Sequence, residues 1–272
     1  MTEKQDALYV VGDGERERQR LQEQATFVNS FTRRLFEEAG IAPGMRVLDV
    51  GSGMGDVALL AAEMVGTTGA VVGVDKNPDV IEAARGRMPA NVSLHVGDIR
   101  TVALDGEFDA IVGRLVLMYL QDPTVAVTHA VGRLRSGGVV AFLEPDLTTG
   151  GGVGIPHSPL NQQLWEWLTE TFRRAGVETH MGFKLRRTLL DAGLTSPQLQ
   201  ANSIIGGGPG WGGYRYYEET LRSMLPAMEA LGVATAAEVD IDTLAVRLEA
   251  EAVQLDSTLM FSTWIGAWAR KR

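Results

Sequence analysis

The chain has 272 residues, 45% of them apolar, a formal net charge of -9 and no cysteine. That length and apolar fraction are enough for a sizeable folded core. The acidic balance argues against nucleic-acid binding, which draws on Lys and Arg to neutralise phosphates, and the missing cysteine removes disulfides, thiolate metal sites and a cysteine nucleophile.

The chain opens on a charged stretch unlike a secretory leader, and no apolar run reaches the roughly 18 residues of a membrane span. A cytoplasmic protein that binds no membrane is expected. Residues 1–14 read as irregular. From 15 to 39, Leu21, Ala25, Val28, Phe31, Leu35 and Ala39 recur at spacings of three and four, which predicts one helical stripe ending near Gly40. Strands and helices then alternate. Arg46–Val50 and Ala70–Asp75 are apolar runs, with a helix pattern over 57–65 between them and another over 78–88 after them. Residues 92–96, 108–112 and 139–143 are three further strands, with a helix over 125–134 stopped by Gly137 and Gly138. This rhythm predicts βαβ units and a parallel sheet.

After Leu143 the rhythm changes. A glycine- and proline-rich loop covers 148–159, helices are expected over 160–175 and 185–192, and a strand over 198–205. A second glycine-rich stretch covers 206–213. Helices over 217–231 and 241–255 and a last strand over 260–269 complete the chain. The expected organisation is an N-terminal helical lid over 1–40 and an α/β domain over 41–272 with helical cap insertions at about 147–195 and 206–257.

The chemistry begins at VLDVGSGMGD, residues 47–56. A buried strand runs into Gly51, Gly53 and Gly55, and a helix follows at once. Such a turn lets a ligand approach bare backbone, and the helix start leaves N–H groups without partners. The dinucleotide fingerprint needs a third glycine. Asp56 stands in that place, so the turn fits a pyrophosphate poorly. Asp75 closes the second strand, where a carboxylate can accept two ribose hydroxyls or cap the next helix. Asp98 follows the third strand and either accepts from an adenine amino group or forms a turn. Asp49, inside an apolar run, needs partners from the turn or from a ligand ammonium. No acidic set has metal-ligand spacing, so no metal is expected.

VLDVGSGMGD, VVGVDKNP, HVGDI, FDAIVGRLVLMYLQDP and LRSGGVVAFLEPD, taken together over residues 44–146, resemble the class I S-adenosylmethionine-dependent methyltransferases, in the branch that acts on small molecules. The resemblance implies a Rossmann-like seven-stranded sheet whose last strand runs antiparallel. It also implies S-adenosylmethionine as cofactor. Gly51, Gly53 and Gly55 would border its methionine moiety, with Asp49 nearby. Asp75 would hold the ribose with Lys76 beside it, and Asp98 and the Ile99 N–H would read the adenine. Arg114 would offer its backbone carbonyl near the cofactor's amino group. In this branch a leading helix closes over the cofactor, which draws attention to Tyr9 and Gln24. The Asn-Pro-Pro-Tyr-type motif of nucleic-acid amino methylation is absent from 113–119.

The acceptor is less legible. A small, largely apolar or aromatic metabolite, methylated at O, N or C, is expected. A base is needed only where the acceptor is as weak a nucleophile as a hydroxyl. His157 in the loop after the fifth strand, His180 between two helices, and Glu144 at the end of the fifth strand are the candidates. Glu144 either orients a substrate or pairs with Arg114 or the backbone. Trp211, Tyr214, Tyr216 and Tyr217 either wall an acceptor site, with Tyr214 as a polar tip, or anchor a cap helix. Cap helices also offer a face for a homodimer. A cofactor-binding protein without transferase activity and a nicotinamide-dependent oxidoreductase are the alternatives.

Overall fold

The computed structural model describes residues 6–8 and 28–272, and backbone contacts divide the chain into two compact units. The first holds 28–144, 181–201 and 265–272. The second holds 145–180 and 202–264, together with 6–8. Tyr9 and Gln24 lie outside the described residues.

The first unit is built on a parallel sheet. Its strands are β1 (Arg46–Val50), β2 (Ala70–Asp75), β3 (Val92–Val96), β4 (Phe108–Arg114) and β5 (Leu134–Asp146), the last of which enters the second unit at Pro145. The order is β3-β2-β1-β4-β5 with every neighbouring pair parallel. Val47, Leu48, Val50, Ala110, Ile111 and Val112 are all buried, as near-continuous apolar strands covered on both faces must be. The order reverses between β1 and β4. In open α/β sheets that switch point, at the carboxyl ends of the strands, is where ligands bind.

The crossovers are helical. The first helix, α1, includes residues 28–39. It is followed by α2 (Asp56–Val65), α3 (Pro78–Arg85) and α4 (Pro123–Val131). Asn77 caps α3 by accepting from Asp79 and Val80, and Asp122 caps α4 by accepting from Val125. Pro78 and Pro123 each follow their cap, where a missing N–H costs nothing.

A two-residue β6 (Gly154–Ile155), α5 (Pro159–Arg174), α6 (Met181–Asp191), β7 (Thr195–Gly207), α7 (Gly213–Ala230), α8 (Ala236–Val239), α9 (Leu244–Leu255) and β8 (Thr258–Arg270) complete the chain. In the first unit α6 packs on α4. There Lys271 donates to the Gly138 carbonyl and accepts from Gly137, both at 2.9 Å. The end of β8 therefore lies beside the start of β5, and the two run in opposite directions, as the resemblance implies for the last strand. The described residues thus hold seven longer strands plus the short β6, which pairs antiparallel with β8 through Gly154 and Leu259.

In the second unit α5, α7 and α9 pack on one another. Tyr217, Leu221, Met224 and Met228 form the buried stripe of α7. The Phe261 ring sits 4.0 Å from Tyr217, 4.8 Å from Tyr216 and 5.7 Å from Trp165, centroid to centroid. Among the described residues no helix is long and apolar enough to cross a membrane.

Four expectations need correction. The fifth strand starts at Leu134, not near 139, and the preceding helix ends at Val131. The helix expected over 217–231 begins at Gly213, so Tyr214, Tyr216 and Tyr217 are helical. The helix expected over 185–192 begins at Met181.

Candidate functional site

The turn after β1 is held from both sides. Gly51 and Ser52 donate to the Val74 carbonyl at 2.8 and 3.0 Å, and Gly55 donates to the Ser52 carbonyl at 2.8 Å. Gly51, Gly53 and Gly55 all have positive φ, at 66°, 50° and 84°, a region open to glycine at little steric cost. Gly51 also has no room for a side chain, because a Cβ there would lie 2.4 Å from Val116 Cγ2. Gly53 is the reverse case. No atom of the described residues lies within 4 Å of where its Cβ would be, so among them its backbone borders open space.

Asp75 ties this turn to β2. Its Oδ2 accepts from the Gly53 N–H and its Oδ1 from the Asn77 N–H, both at 2.9 Å. The helix-capping role expected as an alternative for Asp75 falls to Asn77 instead. Each carboxylate oxygen of Asp75 can accept more than one bond, so acceptor capacity remains on both. Lys76 is exposed beside it.

Asp49 is fully buried in β1, and neither of its oxygens has a partner in hydrogen-bond geometry among the described residues. Burial holds its carboxyl well above the ordinary range. The Arg114 guanidinium opposes that shift, Asp75 and Asp56 add to it, and the Ala58 amide helps only weakly. A buried carboxyl without a partner costs free energy. It is the group a ligand cation would satisfy. Arg114 at the end of β4 donates to Asn29 Oδ1 at 2.8 Å and Thr32 Oγ1 at 3.0 Å, which fixes α1 against the strand end.

Asp98 follows β3 and is committed locally. Its oxygens accept from Arg100 N at 2.8 Å and from Arg100 Nε at 2.9 and 3.1 Å, and Nη2 joins at 2.5 Å. This pairing pulls its carboxyl below the ordinary range. Reading an adenine through Asp98 therefore requires Arg100 to give up a bond. Ile99 is buried next to it.

Glu144 is fully buried at the end of β5. Its Oε1 accepts from the Val116 N–H at 3.0 Å and the Leu117 N–H at 2.8 Å, and Oε2 has no partner among the described residues. Burial pushes its carboxyl up to about 7, against the opposing pull of the Leu117, Val116 and Met118 amides. Of the roles expected for it, backbone pairing is the one observed. The turn, Asp49, Asp75, Arg114 and Glu144 thus share the first unit, at or beside the carboxyl ends of β1, β2, β4 and β5.

The second unit holds a separate polar cluster. Asp146 ends β5 fully buried. Its Oδ1 accepts from Thr148 N at 3.0 Å and Thr148 Oγ1 at 2.8 Å. His180 Nδ1 lies 3.0 Å from Thr148 Oγ1 and 3.5 Å from Asp146 Oδ2. The single hydroxyl proton of Thr148 is committed to Asp146, so Thr148 accepts from His180, and Nδ1 carries the proton. Nε2 of the half-exposed ring is then the proton acceptor. Sequence reasoning missed Asp146 and Thr148. A carboxylate closing a long apolar strand was the signal available for Asp146.

The remaining candidates are placed differently. His157 is exposed two residues before α5. The aromatic group is a packed cluster and not an open wall: Tyr214, Tyr216 and Tyr217 are all buried, and the Tyr214 hydroxyl donates to the Gly208 carbonyl at 3.1 Å. Trp211 stands edge-on to Tyr214 at 5.1 Å. Anchoring a helix, the other role expected for these rings, is what their burial does. Among the described residues no three acidic or histidine side chains are grouped to hold a metal.

Comparison with known proteins matches these features. A family model described as a methyltransferase domain matches residues 41–192, more than half of the chain. An uncharacterized 37.1 kDa protein in transposon TN4556 of Streptomyces fradiae is 35% identical over 57% of this chain and 45% of its own length. The aklanonic acid methyltransferase DauC of Streptomyces sp. (strain C5) is 36% identical over 54% of this chain and 70% of its own length. The chain thus spans under half of the first relative. Among solved structures, a Haemonchus contortus phosphoethanolamine N-methyltransferase 2 in complex with S-adenosylhomocysteine superposes with a TM-score of 0.54 at 18% identity, over 89% of this chain and 52% of that one. With this match the nicotinamide alternative drops out. The chain belongs to the methyltransferase-domain family, in the class I fold whose members take S-adenosylmethionine as cofactor.

Proposed function

We propose that this protein transfers a methyl group from S-adenosylmethionine to a small, largely apolar or aromatic acceptor, with a hydroxyl-bearing aromatic metabolite as the first choice. The observation that carries the reading is the glycine turn. Among the described residues its Gly53 backbone borders open space, its geometry is fixed by Asp75, and a buried carboxyl without a described partner, Asp49, lies on the strand that feeds it. The similarity to DauC supports an aromatic acceptor.

The residues fit the cofactor in kind. Asp75 would take the ribose hydroxyls, and Gly51, Gly53 and Gly55 would present bare backbone to the methionine end. Asp49 would meet the ammonium, with the Arg114 carbonyl beside it, and Ile99 N–H would serve the adenine, with Lys76 and Asp98 at the rim. When bound, S-adenosylmethionine supplies a methyl already electrophilic through its sulfonium. What the protein adds is orientation and exclusion of water. Where the acceptor is a hydroxyl a base is needed, and His180, whose Nε2 is left as the proton acceptor by its bond to Thr148, is the candidate proposed for it. Asp146 then faces the imidazolium that forms, and Thr148 holds the ring. His157, Glu144 and Tyr214 are weaker candidates, because the first is exposed and the other two are buried. The family match ends at residue 192, and acceptor selectivity is assigned to the residues beyond it.

The test is calorimetry with S-adenosylmethionine and S-adenosylhomocysteine, followed by transfer of a labelled methyl to a panel of hydroxyl, amine and carbon acceptors led by hydroxylated anthraquinones and naphthoquinones. Binding plus transfer is expected. Binding without transfer to any hydroxyl, amine or carbon acceptor favours a cofactor-binding protein that is not a transferase. No binding of either ligand removes the reading.

A further inference from the structure

The segment after β4 makes an unusual bend. Leu115 has φ of 56°, a left-handed conformation that branched and bulky residues avoid. The chain then enters one turn of 3-10 helix, Leu117–Tyr119. The amides of Val116 and Leu117 precede the first bonds of that turn, which run from Tyr119 to the Val116 carbonyl and from Leu120 to the Leu117 carbonyl, both at 3.2 Å. Without another acceptor they would be orphaned near the core. Leu117 and Met118 are both buried, so water is a poor substitute.

Glu144 supplies that acceptor. One oxygen takes both amides, at 3.0 and 2.8 Å, while the other has no partner among the described residues. A carboxyl this deep is costly unless its bonds accomplish something. What they fix is the position of Val116. Its Cγ2 and Cβ lie 2.4 and 2.8 Å from where a Cβ on Gly51 would stand, and its Cγ1 lies 3.1 Å from where one on Gly113 would stand. The Val116 side chain therefore rests directly on the bare backbone of the first glycine of the turn. That turn is itself held by Val74 and Asp75.

We propose that Glu144 is a positioning residue for the cofactor turn, acting through the Val116–Leu117 backbone to keep the Val116 side chain seated on Gly51. The proposal rests on the cofactor reading of that turn. It assigns Glu144 no contact with the acceptor and no proton transfer. The carboxyl is a latch: its removal frees two buried amides, the bend at Leu115 relaxes, Val116 lifts from Gly51, and the turn loses the wall that fixes it.

The experiment is titration calorimetry with S-adenosylhomocysteine on the full chain, with thermal melts to confirm folding. Glu144→Gln keeps one acceptor oxygen and is expected to hold affinity within about threefold. Glu144→Met matches the length but accepts nothing, and an affinity loss of at least about tenfold is expected. Val116→Ala is expected to weaken binding on its own. In the Glu144→Met background the same change should add little, because the wall is already lost. Equal affinity of the Glu144→Met variant and the unaltered protein overturns the proposal, as does simple multiplication of the two losses. Should Glu144→Met not fold, Val116→Ala alone decides: an unchanged dissociation constant overturns the latch and a weakened one supports it. Failure of the unaltered protein to bind S-adenosylhomocysteine defeats the cofactor reading itself, so the two failures are distinguishable.

Discussion

The Gly53 N–H donates to Asp75 Oδ2 at 2.9 Å, so the glycine turn after β1 is fastened to the last residue of β2. Asp75 therefore shapes the turn, and the proposed cofactor site would give it a second task, offering its remaining acceptor capacity to a ligand. Asp75→Ala removes both at once and is expected to weaken S-adenosylhomocysteine binding by more than about tenfold, the order for losing charge-assisted hydrogen bonds. Asp75→Asn keeps an oxygen for Gly53 and should retain the turn while losing charge. It is expected to fall between the two. An unchanged dissociation constant in Asp75→Ala, measured by calorimetry, would take Asp75 out of the site.

Gly51 is where the turn tolerates least change. An alanine there meets Val116 at 2.4 Å and must adopt φ near 66°. Left-handed backbone costs an L-residue about 1–2 kcal/mol, and overpacking adds roughly 1–3 kcal/mol. Gly51→Ala is thus expected to destabilise the protein by about 2–5 kcal/mol in urea unfolding, with cofactor affinity lost as well. Gly53→Ala carries only the backbone cost, since no described atom crowds its Cβ. Equal stability losses at the two glycines would contradict the seating of Val116 on Gly51.

Much of this was legible in the sequence for a physical reason. β1, β2 and β4 are largely buried strands bounded by glycine or acidic turn residues, and their apolar runs coincide with their extents to within a few residues; the part-exposed β3 coincides with its run as well. The start of β5 was not legible, because Arg135, Ser136 and Gly137 are exposed and carry no apolar signal. The start of α7 was hidden because its N-cap is a glycine without a side-chain bond, so a glycine-rich run read as loop continued unmarked into helix. The Asp98–Arg100 pair was available from a spacing of two residues. The Asp146–His180 pair was not, since 34 positions separate partners that only the fold brings to 3.5 Å. The bond from Glu144 to the Val116 and Leu117 amides was hidden likewise, because backbone donors leave no mark in a sequence.

Glu144 gives stability a pH dependence whose sign is fixed. Its folded-state value is raised to about 7 from an ordinary 4.5. Between those values the folded protein binds the proton and the unfolded chain does not, so stability falls as pH rises. The contribution is fully present below about 4.5 and lost above about 7. A separation of that size between the folded and unfolded values corresponds to an effect of order 3 kcal/mol. Asp49 is displaced in the same direction, so a comparison isolates Glu144: urea unfolding of the unaltered protein and Glu144→Gln from pH 4.5 to 8. The difference in unfolding free energy between the two should move against the unaltered protein with rising pH and level off past 7. A constant difference would show that Glu144 stays ionised in the fold.

His180 is the residue whose role depends most on the acceptor. Thr148 commits its only proton to Asp146 Oδ1 and so accepts from His180 Nδ1, which leaves Nε2 unprotonated in the neutral ring. Nitrogen NMR on labelled protein should therefore show the Nδ1–H tautomer for His180, and Thr148→Val should shift the population toward Nε2–H. With a hydroxyl acceptor, His180→Gln is expected to lower kcat by about 10² to 10⁴, the usual worth of a positioned base, with KM little changed. Asp146→Asn keeps an oxygen for Thr148 but removes the charge facing the imidazolium, and a smaller loss in kcat is expected. Acidic phenols, already largely ionised at neutral pH, need no base, so the deficit of His180→Gln should shrink as acceptor acidity rises. A deficit independent of that acidity would mean that His180 only shapes the protein around it.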